Sequence, residues 1–439
     1  MSIIKKILTN VKRNLYGEHQ LLLGLSGGVD SVVLLHTLVQ LRQEDASLSL
    51  RALYIHHGLS PNAAKWADHC RALCKQWQVE FLEQHVSVNQ EKGIEAGARE
   101  ARYAAFAQRL NPHEVLLTAQ HLDDQCETFM LALKRGSGPQ GLAAVAATRP
   151  FMQTWQLRPL LAIARHEIES YAQHYQLKWV TDESNEDTSY DRNFLRMNVL
   201  PLLYARWPHF PHAVSRSAAL CGEQEQLLDE LLDEGIHQVI SSDGALAIFP
   251  LSSMSEVKRN AIIRRWFRYH NQLMPSRQQL TLLWQEVAQS QPDAEPQLVF
   301  SHCVVRRYQE KLYLLNPFQD VSEQIYGWSL QQPLQLPDAL GELRVSHAER
   351  GVKLRAPREG ELVSVRFRAT GRFTLAGHNH SRPLKKIWQA LEIAPWLRTR
   401  TPLIFYNETL IAALGVFVTQ EGVLQEGDKP VYLSWEKVQ

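Results

Sequence analysis

Residues 21–31 read LLLGLSGGVDS. The run Leu21–Leu25 is apolar without alternation, which predicts a strand buried on both faces. It breaks at Ser26-Gly27-Gly28, passes Val29 and Asp30 to Ser31, and a helical apolar period begins at Val32, Val33, Leu35, Leu38 and Leu41. Strand, glycine turn and helix in immediate succession aim unpaired backbone N–H groups and the positive end of a helix dipole at an anion. Gly27 and Gly28 let the backbone bend sharply and approach a phosphate closely. Ser26 and Ser31 add hydroxyl donors, and Asp30 offers an oxygen suited to Mg²⁺. Ser26, Gly27, Gly28, Val29, Asp30 and Ser31 are therefore candidate ATP-binding residues.

The chain contains no Gly-Lys dipeptide, so the Walker loop G-x-x-x-x-G-K-[ST] is absent. SGGVDS instead resembles the pyrophosphate loop (PP-loop) of the ATP-pyrophosphatase superfamily, which splits ATP at the α-phosphate. Downstream, LRALYIHH (50–57), VEFLEQHV (79–86) and EVLLTAQ (114–120) read as strands. Helical periods cover 31–43, 62–77, 93–110 and 123–135. This alternation predicts an α/β fold: a parallel sheet covered on both faces, with ligands at the carboxyl ends of the strands. Residues 179–181 are a further candidate strand.

At 439 residues, about three domains are expected. The boundaries read as a PP-loop catalytic domain over 1–208, a mainly helical domain over 209–318 and a β-rich basic domain over 330–439. The proline-punctuated RWPHFPHA (206–213) serves as linker, and a long amphipathic helix starts at Val214. A hairpin is predicted at 304–315 turning at Gln309-Glu310, then a helix around 384–391 and a last hairpin turning near Asn407-Glu408. Cysteines at 70, 74, 126, 221 and 303 include no C-x-x-C, which fits a reducing cytoplasm and gives no zinc or iron–sulfur signature. The first twenty residues lack the apolar core of a signal peptide, and the longest uncharged apolar run, 410–418, is too short to span a bilayer. A cytoplasmic protein without a membrane partner is expected. Net charge is +1, yet 341–410 holds 13 Lys/Arg against 6 Asp/Glu, a local +7 that leaves −6 for the remainder. That asymmetry points to a polyanion contact in the C-terminal part.

Three polar clusters accompany the loop. After the fourth strand comes QHLDDQCETFMLALKRGSGPQGL, in which Cys126, Phe129, Met130 and Leu133 form a helical apolar face. His121, Asp123, Asp124 and Glu127 are candidates for metal binding or proton transfer; helix capping is the plainer alternative for the acids. In GIEAGAREARY, Glu95, Arg99, Arg102 and Tyr103 share one stripe, and the arginines are candidate phosphate ligands. In TDESNEDTSYDRNFLRMNVLPLL, Arg192, Asn193 and Arg196 lie near one face just before the expected domain junction, where substrates tend to bind.

LSGGVDS, YIHHGLS, GIEAGAREARY, HLDDQCETFMLALKRGSGPQGL and DESNEDTSYDRNFLRMNVLP occur in this order in the tRNA(Ile)-lysidine synthetase family, which the chain resembles. GRFTLAGHNHSRPLKKIWQALEIAPWLRTRTPLIF resembles that family's last domain. One departure is Gln120, where the family usually has a histidine adjacent to His121. The resemblance implies adenylation of the C2 oxygen of the wobble cytidine in the CAU anticodon of isoleucine tRNA. Attack by free L-lysine then gives lysidine, with pyrophosphate and AMP released. It implies ATP and Mg²⁺ as cofactors, Asp30 with Asp124 or Asp123 as metal ligands, and Asp124 or Glu127 as base. Arg99, Arg102, Arg192, Asn193 and Arg196 would hold tRNA or ATP, and homodimers occur among relatives. The rivals are a PP-loop tRNA thiolase, an amidating ligase and an inactive tRNA-binding scaffold. The thiolase wants paired cysteines, and the ligase wants an ammonia-producing domain before the loop. The scaffold would not need Asp30, Asp123, Asp124 and Glu127 intact.

Overall fold

The computed structural model describes residues 2–89, 93–291, 294–346 and 351–437. The chain divides into two compact units, Met1–Leu231 and Leu232–Gln439, and the division falls within the helix Phe210–Val239.

The first unit opens with α1 (Ile3–Asn14) and β1 (Gln20–Gly24), then α2 (Val29–Glu44), β2 (Ser49–His56), α3 (Ala63–Gln76), β3 (Glu80–His85), α4 (Ile94–Arg109) and β4 (Val115–Leu117). It continues with α5 (Leu122–Lys134), the single turn α6 (Pro139–Leu142), β5 (Thr148–Phe151), β6 (Thr154–Leu157), α7 (Arg165–His174), α8 (Asp191–Phe194), α9 (Leu200–Arg206) and the start of α10 (Phe210–Val239). The sheet order is β3-β2-β1-β4-β6-β5; every pairing is parallel except β5 with β6. Alternate residues of β1 serve opposite faces. Leu21, Leu23 and Leu25 join the core formed with α1, α2, α3 and α7, while Leu22 joins Leu53, Leu116 and Phe106 of α4. Each such leucine contributes roughly 1.5–3 kcal/mol by leaving water. Phe106 is why β1 ends in glycine: a Cβ on Gly24 would lie 2.7 Å from its ring.

The turn-rich segment around β5 and β6 carries no long apolar run, and its two four-residue strands escaped the pattern. Residues 179–181 form no strand; Val180 instead donates its N–H to the Gly27 carbonyl (2.9 Å). The segment 206–213 is no linker throughout, because the long helix starts at Phe210 rather than Val214. Pro211 is accommodated there since first-turn N–H groups have no carbonyl to bond. Leu133 is 53% exposed, so the apolar face of α5 ends at Met130, where it meets Leu200, Leu203 and Phe210.

In the second unit, β7 (Leu246–Ala247), α11 (Ile248–Ser252), α12 (Glu256–Tyr269), α13 (Arg277–Leu282), β8 (Gln297–Val299), β9 (Val304–Tyr308) and β10 (Lys311–Leu315) come first. Their sheet runs β7-β10-β9-β8, and the expected hairpin turns at Gln309, which takes φ +52°. The remainder is antiparallel β structure with a helix at Leu384–Ala390 and a hairpin turning at Asn407, φ +51°. Trp388 and Phe405 are buried core residues. Much of the basic excess of 341–410 is already paired: Arg355 with Glu361, Arg358 with Asp428, Arg366 with Glu408, Arg368 with Glu323 and Arg400 with Asp338. Glu349 and Arg350, counted in that excess, lie outside the described residues. Arg382, Lys385 and Lys386 remain exposed.

Candidate nucleotide and acid cluster site

The turn between β1 and α2 has the form its sequence predicts. Gly27 takes φ +85°, where a side chain is strained, and a Cβ there would sit 2.9 Å from Val180 Cγ2 and 3.1 Å from Cys70 Sγ. Gly28 is the N-cap of α2 and has no side chain to occupy the helix end, which leaves first-turn N–H groups available to a ligand. Ser31 Oγ donates to the Gly28 carbonyl (2.9 Å) and lies 3.2 Å from Ser26 Oγ, so the two hydroxyls brace the turn.

Beyond the carboxyl end of β4, the acids of α5 gather around His121. The plainer alternative for this cluster is realised: His121 is the N-cap of α5, its Nδ1 accepts the Asp123 N–H (3.2 Å), and Asp124 accepts the His121 N–H (3.0 Å) in a capping box. The same ring also faces the acids. Its Nε2 lies 3.6 Å from Asp30 and 3.5 Å from Asp124, and Nδ1 lies 3.6 Å from Asp123. Burial opposes protonation of His121, but Asp124, Asp123 and Asp30 outweigh it and push its pKa up to about 9. When the ring is charged, Nδ1 donates toward Asp123 instead of accepting. The surrounding carboxylates thus favour the charged ring, whereas the capping contact with the Asp123 N–H uses the neutral one.

Asp30 accepts from Arg165 (3.0 Å) through one oxygen, while its buried Oδ1 has no hydrogen-bond partner. Burial raises the Asp30 pKa against the lowering effect of His121 and Arg165. Asp123 accepts the Arg165 backbone N–H (2.8 Å). Arg165 was not singled out from the sequence; its only signal is an arginine opening a helix in LLAIARHE.

Glu127 is 0% exposed and held by Arg196, whose Nε and second amine lie 2.6 and 3.0 Å from its two oxygens, with Arg192 at 3.6 Å. Arg196 also reaches Asp124 (3.4 Å). It sits in a π-helical turn, Leu195–Val199, between α8 (Asp191–Phe194) and α9 (Leu200–Arg206). Pro201 removes a helical N–H and its ring crowds the carbonyl four residues earlier, which accounts for the widened turn. Asn193 is turned elsewhere: its amide donates to the Ser184 and Asp187 carbonyls, 2.9 Å each, and holds that loop. On α4, Arg99 stacks 5.1 Å from the Tyr103 ring. Arg102 lies beside His57, whose buried Nδ1 has no partner and whose pKa is lowered to about 4, chiefly by burial and secondly by Arg102.

Among the described residues, no three His, Cys, Asp or Glu side chains converge as a self-sufficient metal site. Cys70 and Cys74 are buried on α3, with burial pushing each thiol up to about 12, so they offer no thiolate pair for sulfur chemistry. No described helix is long and apolar enough to cross a membrane.

A parallel sheet with a glycine anion turn at β1 and an acid cluster after β4 defines a PP-loop nucleotide-using protein, and residues 2–203 match the family model described as a PP-loop domain. Residues 246–313 match the TilS substrate binding domain and residues 363–435 the TilS substrate C-terminal domain. The tRNA(Ile)-lysidine synthase of Photorhabdus laumondii is 52% identical over 438 residues, covering 99% of each chain. That of Proteus mirabilis is 54% identical over 419 residues, covering 95% of each. The chain belongs to the tRNA(Ile)-lysidine synthase family. Among solved structures, the U34-tRNA thiolase NcsA of Methanococcus maripaludis aligns at a TM-score of 0.41 and 18% identity, over 49% of this chain and 78% of that one.

Proposed function

We propose that the protein uses ATP to join free L-lysine to C2 of the wobble cytidine in the CAU anticodon of isoleucine tRNA, converting it to lysidine. The single observation that carries the reading is the pairing of a PP-loop turn with the Asp30–His121–Asp123–Asp124 cluster in a chain that matches lysidine synthases end to end. The cytosine O2 attacks the α-phosphorus and pyrophosphate leaves. The lysine Nε then bonds to C2, the C2–O2 bond breaks and AMP carries the oxygen away.

Ser26, Gly27, Gly28, Val29 and Ser31 would cradle the departing pyrophosphate through backbone N–H groups and hydroxyls. Oδ1 of Asp30, which accepts no hydrogen bond and faces His121 Nε2 at 3.6 Å, fits a cation, and two carboxylates completed by substrate phosphates suit Mg²⁺. Asp30 and Asp124 would hold the ion, which when bound neutralises charge on the phosphates. His121 keeps the two carboxylates aligned from behind. Lysine must shed a proton before it attacks. Asp124, which accepts from the His121 N–H and Arg196, and Glu127, held by Arg196 through both oxygens, are the two acids assigned to receive it. Arg99, Arg102 and Arg192 are assigned to substrate phosphates, and the exposed Arg382, Lys385 and Lys386 to the tRNA body. The reading further takes three functional domains, 1–208, 209–318 and 330–439, action in the cytoplasm where tRNA is modified, and a homodimer as a state to be measured.

The deciding experiment incubates the protein with ATP, Mg²⁺, labelled lysine and isoleucine tRNA. Label in the tRNA is expected, together with release of AMP and pyrophosphate; unlabelled tRNA rejects the function. Asp30→Ala is expected to abolish labelling while tRNA binding persists, and full activity in that variant rejects the metal assignment.

A further inference from the structure

Gln120 and His121 are neighbours in the chain, yet their side chains enter different clusters, as alternation along an extended segment requires. His121 faces the acids. Gln120 Oε1 accepts from Thr118 Oγ1 (2.6 Å) and from Arg158 Nε (3.1 Å). Arg158 is only 4% exposed; it also donates to Gln156 Oε1 (3.0 Å) and to the Ala146 carbonyl. Gln156, fully buried, accepts from Arg149 Nε (2.6 Å) and gives its amide hydrogens to Thr118 Oγ1 (2.7 Å) and the Tyr103 hydroxyl (3.2 Å). The guanidinium carbons of Arg149 and Arg99 lie 4.6 and 5.1 Å from the Tyr103 ring centre.

Three guanidinium groups thus gather around one phenol ring at the carboxyl ends of β4 and β6. The atoms holding Arg149 and Arg158 are amide and carbonyl oxygens, and among the described residues neither arginine is ion-paired with a carboxylate. A buried guanidinium without a counter-charge is costly. Burial pushes the Arg158 pKa below its ordinary value, and Arg149 and Arg99 act in the same direction against the raising effect of Tyr103. An excess of positive charge this well ordered is balanced by an anion that a ligand brings. The pyrophosphate of ATP is already provided for at the β1–α2 turn. The carboxylate of an amino acid is satisfied by one bidentate guanidinium, whereas a strand with a phosphate on every nucleotide engages several at once.

We infer that Arg99, Arg149 and Arg158, held in place by Tyr103, Gln156 and Gln120, seat backbone phosphates of the RNA beside the nucleotide being modified. This rests on the proposed tRNA function and extends it to five residues, Tyr103, Gln120, Arg149, Gln156 and Arg158, to which the sequence had assigned no role. It also gives Gln120 a purpose: a glutamine oxygen holds Arg158 without neutralising it.

The test uses the full-length protein with Arg99→Gln, Arg149→Gln and Gln120→Glu, the last placing a carboxylate against Arg158. Isoleucine tRNA binding is measured by filter retention across a salt series, ATP binding with a fluorescent analogue, and KM for lysine by label incorporation. Each variant is expected to weaken tRNA binding about tenfold and to lower the slope of log affinity against log salt by about one. ATP affinity and the lysine KM should stay within about twofold. Arg99 is exposed, so its variant tests the seat without burdening the fold. Unchanged tRNA affinity and salt slope in all three overturn the inference. So does a rise confined to the lysine KM, which assigns the cluster to the amino-acid carboxylate, or a loss confined to ATP. Lysine incorporation by the unaltered protein decides the activity and the salt slope decides the phosphate seat, so the two readings fail separately.

Discussion

Glu127 offers the sharpest energetic test of the acid cluster. It is completely buried, and Arg196 supplies two of its contacts at 2.6 and 3.0 Å, with Arg192 more distant at 3.6 Å. Removing one partner of a buried pair costs about 3–5 kcal/mol because the remaining charge stays desolvated. Here the arginine side chain is 34% exposed and Arg192 stays nearby, which lowers the expectation for Arg196→Met to about 2–3 kcal/mol. For a unit of this size that corresponds to a fall of about 5–10 °C in the unfolding temperature. The loss should depend on pH in a definite direction. Burial already raises the Glu127 pKa, and without Arg196 it rises further. A carboxyl whose folded pKa lies above its unfolded value favours folding when protonated. The deficit of Arg196→Met should therefore shrink as pH falls from 7 toward 5. Calorimetry on the full chain reads this, with the unfolding step of the first unit recognised by its shift on adding ATP. Glu127→Gln combined with Arg196→Met should be less destabilised than the sum of the single changes, because the unpaired charge is gone. A single variant within 0.5 kcal/mol of the parent (roughly the ordinary effect of a surface change), with no pH dependence, refutes the reasoning.

Three further outcomes are expected. Gly27→Ala meets both a positive φ and the Val180 side chain, and should cost roughly 1–3 kcal/mol while weakening ATP binding, measured with a fluorescent analogue. Because the His121 pKa is raised, its contribution to stability is complete below about 6.5 and is lost as pH rises through about 9; replacing it with Gln should flatten that alkaline decline in a pH series of unfolding temperatures. Changing Arg382, Lys385 and Lys386 together to Gln should weaken tRNA binding and reduce its salt slope by up to about three, one per lost phosphate contact, while leaving ATP binding intact.

What could be read from the chain and what could not follow from how local each determinant is. The glycine turn was legible because the strand, the turn and the helix start are consecutive, and each depends on its own few residues. The capping box at His121 is likewise local, spanning four positions. Arg165, Arg149 and Arg158 were invisible because their chemistry comes from partners 7 to 135 positions away: Arg165 from Asp30, Arg149 from Gln156, Arg158 from Gln120. Nothing in a run such as LRPLLAIARHE marks one arginine as buried among amides and another as paired with an acid.

The parallel sheet, the phosphate turn and the three acids beyond the fourth strand are written in the chain itself, since apolar periodicity and glycine placement act over short distances. What those acids can do is set by packing. Folding buries Glu127 beneath Arg196, sets His121 among carboxylates that raise its pKa, and leaves Oδ1 of Asp30 without a hydrogen bond. It also sends adjacent residues, Gln120 and His121, to opposite sides of the strand end. Desolvation and the charge of distant neighbours set protonation and pairing, and both come into being only when the chain is packed.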